Sequence, residues 1–322
     1  MKHDQEELKF GGIQTFMASP YIDLTEMQGY DVGVLGVPVD YGTSYRQGAR
    51  NAPRAIRGHS HWDRVDGSEY IDVDSGTTSV SNNLKIGDLG DILISPGDAE
   101  KTSSEIARIV EMIRRELFPL ILGGDHSITH PAFIGCKRAL SEAEQPTGIL
   151  KFDAHPDVEE DYLTLPKVWH GNPFRKLIEE DHLDGKHLVN IGLRGLLPKK
   201  WMDYINDHGI TNFTVPEIRR RGIDQVIQDA MKILREKCAS VYVTFDIDCI
   251  DPVDAPGTGT PLSGGIRAEE AIHAVRQLNE LPVKGFDLVE VNPDFDPTGR
   301  TQIVACDLLW NLLSFGLKSR NP

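Results

Sequence analysis

The stretch Gly148-Ile149-Leu150-Lys151-Phe152-Asp153-Ala154-His155-Pro156-Asp157 is an apolar run that ends in three potential ligands. A second stretch has the same form: Ser240-Val241-Tyr242-Val243-Thr244-Phe245 runs into Asp246-Ile247-Asp248. Apolar residues occupy successive positions in both, which marks strands buried on both faces. Working outward, similar short runs cover residues 31–37, 118–122, 187–191 and 283–289. Longer patterns with helical spacing fall between them, at 100–117 (Ile106, Val110 and Ile113 in step), 222–238 and 267–278. Strand–helix alternation predicts an α/β fold, a mainly parallel sheet with helices on both sides. Neither a long linker nor an internal repeat interrupts the 322 residues, so residues 1–322 read as one domain, with an arm over about 1–25 that needs something to tie it down.

Composition narrows the function. Hydrophobic residues make up 39% and charged residues 26% of the chain, as in a globular protein. No apolar run nears the roughly 18 residues of a membrane helix, and the polar, acidic N-terminus has no signal-peptide core, so a cytoplasmic location is expected. The net charge of −15 opposes nucleic-acid and anionic-membrane binding and favours a cationic small molecule. Cys136, Cys238, Cys249 and Cys306 form no CxxC pair and read as buried thiols. Cys249 stands out because it adjoins a carboxylate cluster.

Ligands of open α/β sheets sit beyond the carboxyl ends of the strands, and there the polar residues gather. Gly123-Gly124-Asp125-His126 delivers His126 at one strand end, although a lone histidine there is weak evidence. Alternation puts Asp153, His155 and Asp157 on one side, and three such groups are costly to bury without a cation. A solvated loop is the alternative, and the apolar strand leading in favours the metal. Asp246 and Asp248 repeat the pattern and would repel one another unless a cation lay between them. Glu290, after a fourth strand, suits a metal ligand, a grip on a planar cation or a structural ion pair. Two histidines and four aspartates from three strand ends exceed one structural zinc site. They suit two harder ions such as Mn²⁺, about 3.5 Å apart, activating a water.

In order along the chain stand Gly123-Gly124-Asp125-His126, Asp153-Ala154-His155-Pro156-Asp157, His170-Gly171, Asp246-Ile247-Asp248-Cys249-Ile250-Asp251-Pro252 and Glu290-Val291-Asn292-Pro293. With 46–57 and 255–261, this series resembles the ureohydrolases, the arginase and agmatinase enzymes, and is closest in style to agmatinase. The resemblance implies a three-layer α/β/α fold with an eight-stranded sheet and two ions per chain, Mn²⁺ in most members and Ni²⁺ in some. It implies that His126 and Asp157 bind one ion, His155 and Asp248 the other, and that Asp153 and Asp246 bridge both. It further implies that Asp157 and His170 move protons and that Glu290 holds the guanidinium group, with Thr260 in the substrate stretch. A homotrimer or homohexamer is also implied.

After Asp157 the chain reads Val158-Glu159-Glu160-Asp161-Tyr162-Leu163-Thr164-Leu165-Pro166-Lys167-Val168-Trp169, without the Asn-Thr-Pro and Ser-Gly-Asn pattern of arginine-handling members. Three acids in a row would repel a substrate carboxylate. Tyr162 and Trp169 either wall a small cationic pocket or pack within the loop. The expected substrate is agmatine, with free guanidine the alternative. His170–Arg175 also fits formiminoglutamate hydrolase, a one-zinc lysine-deacetylase-like enzyme shares the fold, and a regulatory member would have lost ligands that are all present here.

Overall fold

A computed structural model describes residues 12–61, 69–73, 76–80 and 84–317. Its strands are β1 (Val32–Gly36), β2 (Glu69–Asp72), β3 (Thr77–Val80), β4 (Ile86–Asp91), β5 (Phe118–Leu122), β6 (Thr147–Phe152), β7 (Leu188–Leu193), β8 (Thr211–Thr214), β9 (Ser240–Asp246) and β10 (Val283–Val289). Its α-helices are α1 (Ala52–Ser60), α2 (Ala99–Glu116), α3 (Thr129–Arg138), α4 (Pro173–Glu179), α5 (Lys199–His208), α6 (Val215–Arg221), α7 (Ile223–Lys237), α8 (Ala268–Arg276) and α9 (Arg300–Asn311).

Eight strands form one sheet in the order β4-β1-β5-β10-β9-β6-β7-β8, and every pairing in it is parallel. Strands β2 and β3 make a separate antiparallel hairpin. Alternation along the strands feeds two cores. Leu120, Leu122, Leu150, Phe152, Val243 and Phe245 enter one. Ile121, Ile149, Tyr242 and Val289 enter the other, which packs under α2 and α3. This is the expected three-layer α/β arrangement.

Local signals explain the helices. Asp98 caps α2 by accepting a hydrogen bond from the Lys101 amide at 2.9 Å, and Ile106, Val110 and Ile113 bury its inner stripe. In α7, Ile223, Val226, Ile227, Ala230, Met231 and Leu234 do the same. The described part of the N-terminal arm is held by its own chain. Phe16 and Met17 are buried, the Phe16 amide donates to Asp88 at 2.8 Å, and the Met17 amide donates to Ser60 at 3.0 Å.

The strand order decides where the chemistry lies. Strands β5, β10, β9 and β6 are neighbours at the centre of the sheet, and His126, Glu290, Asp246 and Asp153 stand at or just past their carboxyl ends. Clusters up to about 160 residues apart in sequence therefore meet at one edge, as the His126 amide donating to Glu290 with a separation of 164 residues shows.

Candidate metal and substrate site

The turn after β5 is tight for a steric reason. Asp125 donates its amide to the Val39 carbonyl at 2.8 Å, and a Cβ on Gly124 would lie 1.7 Å from that same oxygen. Only glycine lets the chain pass and present His126. Beyond β6 and β10 the backbone departs from the extended form. Asp157 has φ +50° and Glu290 has φ +62°, in the left-handed region that side chains other than glycine rarely adopt. Such strain persists where the surroundings over-determine it, and here it turns both carboxylates into the site.

The six expected ligands converge. His126 Nδ1 lies 3.0 Å from Asp157 Oδ2, 3.1 Å from Asp153 Oδ2 and 3.2 Å from Asp246 Oδ2. His155 Nδ1 lies 3.0 Å from Asp248 Oδ2 and 3.5 Å from Asp153 Oδ1. Two groups able to hold an ion result, His126–Asp153–Asp246 and Asp153–His155–Asp248, with Asp153 common to both. Asp246 faces the first group through Oδ2, while its Oδ1 accepts the Asp248 amide at 2.8 Å.

These residues fit a cation by two observations. His126 Nδ1, Asp153 Oδ2 and Asp157 Oδ2 are buried without a hydrogen-bond partner, although they face one another. The Lys151 ammonium, 2.9 and 3.0 Å from the two carboxylate oxygens, is one charge against four aspartates, and a shared ion would satisfy all three atoms. The electrostatics agree. Burial, then the charges of Asp248 and Asp153, pushes the Asp246 carboxyl well above its ordinary range. The mixed oxygen and imidazole donors suit a hard or borderline divalent ion.

One rung beneath the ligands runs a polar row that crosses the sheet in register: Lys151 opposite Thr244 on β9, and Thr244 opposite Asp287 on β10. All three are fully buried. Thr244 Oγ1 lies 3.0 Å from His126 Nε2, so a ring proton there points down to the threonine and leaves Nδ1 free for an ion. Asp287 accepts from Thr129 at 3.0 Å and from Tyr242 at 2.8 Å. The sequence reading passed over Thr244 and Asp287. Their signal is a polar residue inside an otherwise apolar run, two positions before Asp246 for Thr244 and three before Glu290 for Asp287.

Glu290 spends one oxygen and keeps one. Its Oε1 accepts from the His126 amide at 3.0 Å and faces His170 Nδ1 at 2.9 Å. Its Oε2 is buried and unpartnered, beside Gly259 and Thr43. His170 Nε2 is held by Ser44, with Oγ at 2.8 Å and the amide at 3.1 Å. Burial works to lower the His170 pKa. The charge and hydrogen bond of Glu290, with Asp125 and Asp157 beyond, overcome it and raise the group to about 9. Thr43 and Ser44, on the loop before 46–57, also escaped the sequence reading, because hydroxyls in a Gly-Thr-Ser turn are common.

The acidic run divides. Glu160 pairs with Lys200 at 3.0 Å and accepts from Trp201 at 3.1 Å. Asp161 pairs with Lys176 at 2.7 Å and accepts from Asn172 at 3.1 Å. Glu159 alone feels the ligand cluster, and its half-buried carboxyl is pushed up to about 7 by burial and then by Asp157. Trp169 is buried and packs edge-on against Tyr162, whose hydroxyl lies 3.4 Å from Glu159. Trp169 thus supports the loop from behind, while Tyr162 stays 45% exposed. Thr260 donates to Asp248 at 3.2 Å, so it touches a member of the carboxylate cluster directly. All four cysteines are buried and none is in a disulfide, and the Cys249 thiol is raised well above its usual pKa by burial.

A parallel α/β sheet with imidazole and carboxylate donors at the ends of its central strands, beside a carboxylate whose one unpartnered oxygen suits a planar cation, fits a hydrolase acting on guanidino or amidino groups. The chain belongs to the arginase family, whose model matches residues 30–314. It is 35% identical to the guanidinopropionase of Pseudomonas aeruginosa over 314 residues, covering 95% of this chain and 92% of that one. It is 34% identical to the agmatinase of Chromobacterium violaceum, covering 94% and 89%. Proclavaminate amidino hydrolase from Streptomyces clavuligerus superposes with a TM-score of 0.83 at 33% identity, covering 96% of this chain and 98% of that one. Among the described residues no helix is long and apolar enough to cross a membrane.

Proposed function

We propose that the chain is a two-metal amidinohydrolase whose substrate is a guanidino compound without a carboxylate, agmatine, cleaved to urea and putrescine. The observation that carries this reading is that Glu290 Oε2 is buried without a hydrogen-bond partner, while Glu159 is a second carboxylate within the electrostatic reach of Asp157, His155 and His170. One carboxylate suits the guanidinium head, and the other suits a cationic tail. A tail ending in carboxylate would meet like charge at Glu159 as that group ionises, through a pKa of about 7 and above.

His126, Asp153, Asp157 and Asp246 would hold one ion, and Asp153, His155, Asp246 and Asp248 the other, with Mn²⁺ the proposed metal and Ni²⁺ the alternative. When bound, the ions would polarise water as Lewis acids and lower its pKa. The chain's own residues do the rest. Glu290 orients the planar carbon toward the cluster. The water oxygen becomes the urea carbonyl, the bond from carbon to the leaving nitrogen breaks, and both water protons end on that nitrogen to give an ammonium. Asp157, turned inward by its left-handed backbone, passes the first proton. His170, its pKa raised by Glu290 and its ring held between Glu290 and Ser44, supplies a proton from the mouth of the site and regains it from the water.

A panel of agmatine, guanidine, guanidinobutyrate, guanidinopropionate and arginine, scored by urea release from metal-loaded protein, tests the reading. Agmatine should give the highest kcat/KM. A penalty of about 3 kcal/mol on the carboxylate-bearing compounds would appear as a loss of roughly a hundredfold. Preference for guanidinobutyrate would sink the electrostatic argument, and preference for guanidine would assign Glu159 to a smaller pocket. The same reading carries a homotrimer or homohexamer, and a light-scattering mass equal to one chain would refute it.

A further inference from the structure

Lys151 is the one strand residue in the polar row that carries a positive charge, and nothing in the hydrolysis above uses it. Its side chain is fully buried. Nζ lies 2.9 Å from Asp153 Oδ2 and 3.0 Å from Asp157 Oδ2, and it donates to the His155 carbonyl at 2.8 Å. It also sits 4.4 Å from the centre of the Phe174 ring. The two carboxylate oxygens it contacts are the same two that face His126 Nδ1. Neither makes a well-directed hydrogen bond to the lysine, so the contact is one of charge. A buried ammonium must be compensated, and four aspartates in one cluster must be too.

We infer that Lys151 is a resident counter-cation of the His126 metal position, a positioning residue that shares Asp153 and Asp157 with the ion. It holds the metal-free site together and weakens ion binding at that position relative to the His155 position. The backbone of β6 fixes it, with Phe174 and the His155 carbonyl holding the ammonium beside the two carboxylates. A fixed positive charge near a divalent ion raises the free energy of the bound state. The His126 position therefore fills last and empties first. This inference rests on the two-metal reading.

The test compares wild type with Lys151→Met, which keeps length and loses charge, by isothermal titration with Mn²⁺, by metal analysis and by thermal unfolding with and without the ion. Wild type should take two ions with unequal affinity. In Lys151→Met the weaker position should tighten at least tenfold and the stronger one change less. The metal-free variant should melt several degrees below wild type, and the Mn²⁺-induced gain in Tm should be larger. Unchanged or weaker affinity at both positions would overturn the inference. So would failure of both Lys151→Met and Lys151→Gln to fold when expressed with Mn²⁺, because an ion should replace the lost charge. Failure of wild type to bind two ions would instead remove the two-metal reading itself.

Discussion

His170 shows how one buried pair can report on the site. Its pKa rises from the ordinary 6.5 to about 9 because Glu290 outweighs the effect of burial. A raised folded-state pKa gives stability that is fully present below about 6.5 and is lost as pH rises through 9. At 1.4 kcal/mol per decade the pH-dependent part is on the order of 3 kcal/mol. In metal-free protein, the gap in unfolding free energy between wild type and His170→Asn should shrink by about that much from pH 6 to pH 10. A gap independent of pH would mean that His170 and Glu290 are not paired as described. The same variant in metal-loaded protein should lose kcat much more than it raises KM, as expected of a residue that moves a proton rather than binding the ground state.

The elements around the site are fixed by close backbone approach. A methyl group on Gly124 would meet the Val39 carbonyl at 1.7 Å, in the turn that presents His126. Gly124→Ala should cost at least about 2 kcal/mol in urea unfolding, by displacing a backbone that has no flexible side chain to yield. A stable, fully active variant would show that the β5 turn can relax. The elements legible in the sequence were those with continuous apolar runs. Strands β5 and β10 match the expected 118–122 and 283–289, and β1, β6, β7 and β9 differ from expectation by one or two residues at an end. Strands β4 and β8 went unread. The first reads Ile-Gly-Asp-Leu-Gly-Asp and the second Thr-Asn-Phe-Thr, and both lie at the edges of the sheet, where one neighbour suffices and polarity is tolerated. The gathering of these imidazoles and carboxylates was legible because each lies at or just past the end of a buried strand. The fate of the acidic run was not, because whether Glu160 and Asp161 face the site depends on Lys200, Trp201 and Lys176, which approach from α5 and α4.

At the scale of the whole molecule, net charge and local charge point the same way. The chain carries −15, and Glu159 and the buried Glu290 are the acids of that total that stand at the site beside the ligand cluster. A field of this sign draws in cations and slows anions, and salt screens it over about 8–10 Å at physiological strength. Agmatine carries two positive charges, whereas guanidinobutyrate is a zwitterion. Raising NaCl from about 20 mM to about 500 mM should lower kcat/KM for agmatine several-fold, acting on encounter, and leave kcat nearly constant. The zwitterion should show a flat profile over the same range. The long-range field would then account for the salt-sensitive part of selectivity, and the contact with Glu159 for the part that survives at high salt. Parallel salt curves for both compounds would mean that global charge keeps the protein soluble and does nothing for substrate choice, leaving the discrimination to Glu159 and the Tyr162 surface alone.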